Sequence, residues 1–279
     1  MNISFHAWKA FVECPRKFYK QYVKWDKPTI EVNEYFTLYG RLVEKFFELY
    51  CNIWHFKTPR LSSQAIRQKL VFIYNGILNS STVNWNLPYC KDSKQDIFNQ
   101  ACEDICTVMS SENISYFLNT KSEVTIGLIL KNDHRLKGRL DFLHNSNIGN
   151  EVTIFDGKGT NKIGKNISND QLYFYSLLYF FRFNKLPDHI GFFYYRFNTL
   201  VPVVMDKEIL DEFRNRLAID IKGMLQAEHP PTPCAKSCKY CIYFNEAGCP
   251  EGEKSRVSRM RGSKIKDIES NGEVVEFSF

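Results

Sequence analysis

The sequence lacks an uninterrupted run of about 18 apolar residues, the least that a bilayer-spanning helix needs. Its opening, Met1-Asn2-Ile3-Ser4-Phe5-His6, lacks the charged-then-apolar order of a secretory signal. These absences argue against a membrane or secreted protein, so a cytoplasmic location is expected. The 9 cysteines are an odd number in a long chain without an export signal, which argues against a disulfide framework and for metal ligation or burial. No internal repeat is visible. Between Lys254 and Lys266 there is no acidic residue, only Lys254, Arg256, Arg259, Arg261, Lys264 and Lys266. With those six set aside, the remaining 31 basic residues equal the 31 acidic ones, so the net charge of +6 belongs to a tail attracted to polyanions or serving as a solubilising end.

What is present is a chain of 279 residues, 44% hydrophobic and 15% aromatic, enough for one large domain or a domain with an insertion. Tyr35, Leu38, Leu42, Phe46 and Leu49 recur at helical spacing over 34–50, and 61–80 and 93–118 read as further helices. The period then changes to two. Val124 to Leu130, Leu136 to Leu143 and Val152 to Phe155 predict three successive strands. A helix over 168–181 follows, with Ser168 and Asn169 as candidate caps, then strands over 190–197 and 200–204 and a helix from Ile209 to Leu225. Pro230, Pro231 and Pro233 end regular structure. The expected organisation is a segment over 1–30, a core over 31–229 with a helical insertion at about 55–120, a Cys-rich segment over 230–250 and a basic tail over 251–279.

The strand Leu136-Lys137-Gly138-Arg139-Leu140-Asp141 ends in a carboxylate, and Val152-Thr153-Ile154-Phe155-Asp156-Gly157-Lys158 carries a carboxylate and an amine two residues apart. Turn residues at 145–150 predict an antiparallel hairpin. A turn centred between Asn147 and Ile148 sets Asp141 opposite Ile154. Asp156 is then a diagonal neighbour, roughly 7–8 Å away at the backbone, close enough for both carboxylates to meet one ion. Period two sends Lys158 to the same face. Two carboxylates and a lysine around a hard divalent cation suit phosphodiester hydrolysis, although an Asp-x-Lys at a strand end is more often an exposed ion pair. Nearby, Gly40-Arg41-Leu42-Val43-Glu44 offers Glu44 as a third ligand, and Gln171 and Tyr175 share one helix face at i, i+4.

In that order, Gly138-Arg139-Leu140-Asp141, Asp156-Gly157-Lys158 and Gln171-x-x-x-Tyr175 resemble the motif series of the RecB-like branch of the PD-(D/E)XK nucleases. The opening Ser4-Phe5-His6-Ala7-Trp8 and Cys14-Pro15-Arg16-Lys17-Phe18-Tyr19 is similar to the start of the iron–sulfur members, the CRISPR-associated adaptation nucleases among them. The resemblance implies an α/β fold with a central mixed sheet flanked by helices. It implies Asp141 and Asp156 as Mg²⁺ or Mn²⁺ ligands, the Gly157 carbonyl beside them and Lys158 positioning the attacking water; Gln171 and Tyr175, from their shared helix face, are expected to hold a strand or the lysine. Glu44 stands where the family often has His, and a carboxylate also suits these ions.

Cys234, Cys238, Cys241 and Cys249 cluster within sixteen residues, a set that suits tetrahedral Zn²⁺ or a [4Fe–4S] cluster. The resemblance favours iron, with Cys14, Cys238, Cys241 and Cys249 as ligands and Cys234 as a substitute. Cys51, Cys90, Cys102 and Cys106 carry no partner signature and are expected to be buried small hydrophobes. Lys9, Arg16, Lys17, Lys20, Lys24 and Lys27 interleave with six aromatics from Trp8 to Trp25, a composition that fits either single-stranded nucleic acid or a core. Lys162 and Lys165, between strand and helix, are expected phosphate contacts, together with Arg16 and Lys17. The function expected is a metal-dependent deoxyribonuclease, exonucleolytic on single-stranded DNA. The alternatives are a zinc-stabilised, non-catalytic nucleic-acid-binding module and a nuclease subunit that acts only with a protein partner in a DNA-processing complex.

Overall fold

Helices and strands alternate in period along the chain as the apolar spacing predicts, with two departures. The computed structural model describes residues 1–26, 34–81, 83, 85–86, 90–130, 133–146, 149–164, 167–232, 238, 241 and 243. In chain order the elements are β1 (Asn2–Ile3), α1 (Phe5–Glu13), α2 (Pro15–Phe18), a π-helical turn (Tyr19–Val23), α3 (Tyr35–Leu49), a second π-helical turn (Tyr50–Trp54), α4 (Ser63–Asn79), α5 (Lys94–Ser110), a 3₁₀ segment (Glu112–Phe117), β2 (Thr120–Ile129), β3 (Arg135–Asn145), β4 (Val152–Lys158), α6 (Asp170–Phe183), β5 (His189–Tyr194), a 3₁₀ turn (Tyr195–Phe197), β6 (Thr199–Pro202) and α7 (Lys207–Met224).

The first departure is the helix expected over 93–118, which breaks at Ser111. There the backbone turns extended and the Ser111 hydroxyl accepts the Asn113 amide at 3.2 Å, capping a separate 3₁₀ segment. The second is the strand expected over 190–197. It stops at Tyr194, because Asn198 adopts a left-handed conformation (φ 44°) and closes a tight turn into β6. At the start of α6, the Ser168 hydroxyl accepts the Asp170 amide at 3.2 Å, while Asn169 makes no side-chain cap. Cys51 and Cys102 are buried, as expected of unpaired small hydrophobes, and Cys90 and Cys106 are half-buried.

Two compact units are distinguished: Met1–Ile3 with Asn33–Asn215, and Ser4–Val32 with Arg216–Phe279. In the first, six strands form one mixed sheet. β2 runs antiparallel along the whole of β3, while β1 (parallel) and β4 (antiparallel) pair with opposite ends of its other edge; β5 joins β4 in parallel and β6 joins β5 antiparallel. Phe142 and Phe155 stack at 4.8 Å and turn toward α3–α5, meeting Phe47, Phe117 and Phe193 in the main apolar cluster. Asp156 alternates to the other face, where Gln171 of α6 bonds it. The sheet therefore lies between the α3–α5 layer and α6, an α/β arrangement.

In the second unit, Trp8 and Phe18 are buried, and the Trp8 indole donates to Asp220 at 2.8 Å. The His229 ring stacks on Tyr19 at 5.2 Å. Trp8 and Phe18 of the N-terminal segment are core and Tyr19 is half-buried, whereas Trp25 is exposed.

Candidate active site

Strand register decides where the carboxylates meet. β3 and β4 pair Phe142 with Phe155 and Leu143 with Ile154, which moves the hairpin two residues from the expected register. Extended by one pair, that register sets Asp141 opposite Asp156 instead of diagonal to it, although the ladder itself ends before them. The longer connection from Asn145 to Val152 causes the shift; Asn147 and Ile148, on which the expected turn was centred, lie outside the described residues. The pairing ends at Phe142–Phe155 while β4 continues along β5 to Lys158, so β3 and β4 part there. The Gly157 amide, which has no ladder partner on β3, donates to the Asp141 carboxylate at 3.3 Å.

The α6 side supplies the next contacts. Gln171 donates to Asp156 at 2.6 Å and to the Tyr175 hydroxyl at 3.2 Å, and its carbonyl accepts from Lys158 at 3.4 Å. Lys158 also pairs with Asp156, which is buried. An amide can do both because its NH₂ serves the carboxylate while its oxygen serves the ammonium. Gln171 therefore holds Asp156 and Lys158 in one orientation. α6 packs closely over Gly138, where a Cβ would lie 2.5 Å from the Leu178 side chain.

Gly138 thus faces α6 while Phe142, four residues on, faces the opposite helices, which strict alternation forbids. The reversal falls at Asp141 and at its β2 neighbour Glu123, which adopts φ 58° within the strand. A non-glycine residue in that conformation is strained and is a recurrent feature of functional sites. Here it brings Glu123 to Glu44 of α3 and Asp141, with one oxygen of each within 4.8 Å of the others. Glu123 also pairs with Arg139 at 2.7 Å. Sequence reasoning missed Glu123 because it precedes the first residue of the apolar alternation, Val124. A charge placed at a strand's entry is the only local signal.

The electrostatics follow from crowding. Burial, then Asp156 and Glu123, push the Glu44 carboxyl up to about 6. Burial, then Asp156 and Glu44, likewise raise Asp141 well above the carboxylate range. Glu44, Glu123, Asp141 and Asp156 have Lys158, Arg139 and, beside Glu123, Lys45 as countercharges, which leaves an excess of negative charge that a divalent cation would neutralise. The donors are all hard oxygens, the set that suits Mg²⁺ or Mn²⁺.

Tyr195 was also missed by sequence reasoning. It is fully buried, its ring is stacked on Phe47 at 5.4 Å, and its hydroxyl has no hydrogen-bond partner among the described residues. A Cβ at residue 157 would lie 2.1 Å from that hydroxyl, so any side chain there would force Tyr195 to move. Gly157→Ala should cost about 1–3 kcal/mol through overpacking. Tyr195→Phe should recover part of that loss in the double variant; additive losses in thermal melts would contradict the contact.

The expected nucleic-acid contacts lie in two places along the chain. The Arg16 guanidinium donates to the His229 carbonyl at 3.1 Å and Lys17 pairs with Glu13 at 2.6 Å, both within the second unit. Lys162 is exposed in the loop after β4, and Lys165 lies outside the described residues. Cys14, Cys238 and Cys241 all belong to the second unit; Cys234, Cys249 and the tail 251–279 lie outside the described residues. No helix among the described residues is long and apolar enough to cross a membrane.

Comparisons with known proteins agree with this geometry. The solved structure of a candidate exonuclease from Eubacterium rectale is 14% identical and superposes with a TM-score of 0.54 over 88% of each chain, a likeness of fold. SSO0001, also 14% identical over 87% of this chain and 83% of its own, gives a TM-score of 0.33, too low to carry structural weight. A comparison with curated proteins yields no match. Residues 2–245 match the PD-(D/E)XK nuclease superfamily, a span that includes Glu44, Asp141, Asp156 and Lys158, and the chain belongs to that superfamily.

Proposed function

We propose that the protein is a Mg²⁺- or Mn²⁺-dependent deoxyribonuclease that degrades single-stranded DNA from an end. The observation that carries this reading is the convergence of Glu44, Glu123 and Asp141 within 4.8 Å, beside an Asp156–Lys158–Gln171 contact set. In this reading Glu44, Asp141 and Asp156 hold the cation, with Glu123 and the Gly157 carbonyl beside them. A divalent ion bound there supplies charge neutralisation on the phosphate and an acidified water. Lys158 orients that water, held in place by Asp156 and the Gln171 carbonyl. Gln171 in turn is fixed by the Tyr175 hydroxyl, so proton-handling groups sit on β4 while the helix aligns them.

The same reading includes a [4Fe–4S] cluster held by Cys14, Cys238, Cys241 and Cys249, a clasp between chain ends instead of a redox centre. Its support is the family resemblance and the membership of Cys14, Cys238 and Cys241 in one unit.

Anaerobic purification followed by incubation with end-labelled single- and double-stranded DNA tests the proposal. Expected is progressive shortening of the single strand that needs Mg²⁺ or Mn²⁺ and stops with chelator. A colourless protein holding stoichiometric zinc, with no cleavage in either metal, would favour the non-catalytic binding module instead.

A further inference from the structure

A cavity of about 660 Å³ opens beside the carboxylates, between α3 and α4, with Glu44, Glu123 and Arg139 in its wall. That volume is in the range of sites for a nucleotide-sized ligand and too small for a duplex. On its α3 side stand Arg41 and Lys45. On its α4 side stand Phe72, Asn75, Gly76 and Asn79, one helix face by their spacing of three and four.

Two of these residues have no evident use in the fold. Phe72 is 81% exposed, while its helix already buries Ile66, Leu70, Ile73, Tyr74 and Ile77. An exposed phenyl at the mouth of a polar cavity is a ready stacking surface, since every base has a π-face. Gly76 sits in the helix interior, where glycine weakens the helix, yet a Cβ there would meet nothing within 4 Å. Among the described residues, no packing partner requires that glycine. It keeps the cavity wall low, so that a ligand can approach the backbone.

We propose that this cavity seats the unpaired nucleotide next to the cleaved phosphate, its base against Phe72 and its phosphates beside Arg41 and Lys45. This rests on the nuclease reading and deepens it. Single-strand preference then follows from shape, because a base stacked on Phe72 cannot remain paired. Arg41 now bonds Glu34 at 3.2 Å and the Ser81 hydroxyl at 2.9 Å, and Lys45 pairs with Glu48 at 2.6 Å; partly exposed pairs of this kind exchange for phosphate at small cost.

The test is binding of a fluorescein-labelled oligothymidine in Ca²⁺, with the matching duplex as control and cleavage in Mn²⁺ alongside. Phe72→Ala should weaken single-strand binding at least about fivefold and raise KM more than it lowers kcat, and Phe72→Trp should restore both. Gly76→Leu should weaken binding similarly while its melting temperature equals or exceeds the wild type's, a combination that a merely structural role does not produce. Duplex binding should stay within about twofold in all three. Wild-type binding by both Phe72→Ala and Gly76→Leu, or equal losses on duplex, would overturn the subsite while leaving the nuclease reading intact. A wild type that neither binds nor cleaves the oligonucleotide would remove both.

Discussion

Asp156→Asn should lower the single-turnover rate of DNA cleavage by about three orders of magnitude and leave the metal-free protein as stable as the wild type or more so. The rate follows from losing a charged oxygen beside the cation: about 4 kcal/mol of transition-state stabilisation corresponds to that factor. The stability follows from the site's charge balance. Four carboxylates, Glu44, Glu123, Asp141 and Asp156, crowd around Lys158 and Arg139, and burial, then repulsion from Asp156 and Glu123, already raise Glu44 to about 6. Removing one negative charge at nearly constant volume relieves that repulsion, while Gln171 still finds an oxygen to bond. Function held at the expense of stability is common where like charges are assembled for chemistry. Lys158→Ala should lose comparable activity yet be destabilised, since it removes a cation from a negative cluster. The pair of variants separates a catalytic site from a structural ion pair, in which both would be destabilised. Near-wild-type cleavage by either one in single-turnover assays would remove the proposed site.

The second large effect concerns Cys14. If it joins Cys238, Cys241 and Cys249 around iron, protein purified without oxygen should be brown, and Cys14→Ala should bleach it although 223 residues separate Cys14 from Cys238. Cys14 lies between α1 and α2, directly before Pro15, at an extended corner that keeps the thiol out of both helices. A cluster linking distant parts of the chain couples binding to folding, so its loss should lower the melting temperature by at least about 5 °C. Proteolysis around Pro230 should increase. A zinc site of Cys234, Cys238, Cys241 and Cys249 has the opposite signature: colourless protein, indifference to Cys14→Ala and sensitivity to Cys234→Ala. Metal content, visible absorption and melting temperature of the two single-Cys variants decide between them.

The sequence by itself determined the secondary elements of the core and the order of the motifs on them. Periodicity is local: Leu38, Leu42, Phe46 and Leu49 mark α3 wherever it packs, and Asp156 and Lys158 share a face because alternate strand residues do. It also named Gln171 and Tyr175, whose i, i+4 spacing survives in the contact between them. What only the tertiary structure decided are the quantities set by partners far away in the chain. The direct meeting of Asp141 with Asp156 depends on hairpin register, which slipped by two residues because the connection is longer than its turn residues suggest. Glu123 joins the carboxylates only because β2 is paired with β3 when its backbone enters the left-handed region. That the residue at 157 is glycine is a matter of the Tyr195 hydroxyl beneath it, which nothing local in the sequence shows. Side-chain type and spacing are carried by neighbours in sequence, whereas register, strand parting and steric exclusion are carried by neighbours in space, and the geometry of this site depends on the latter.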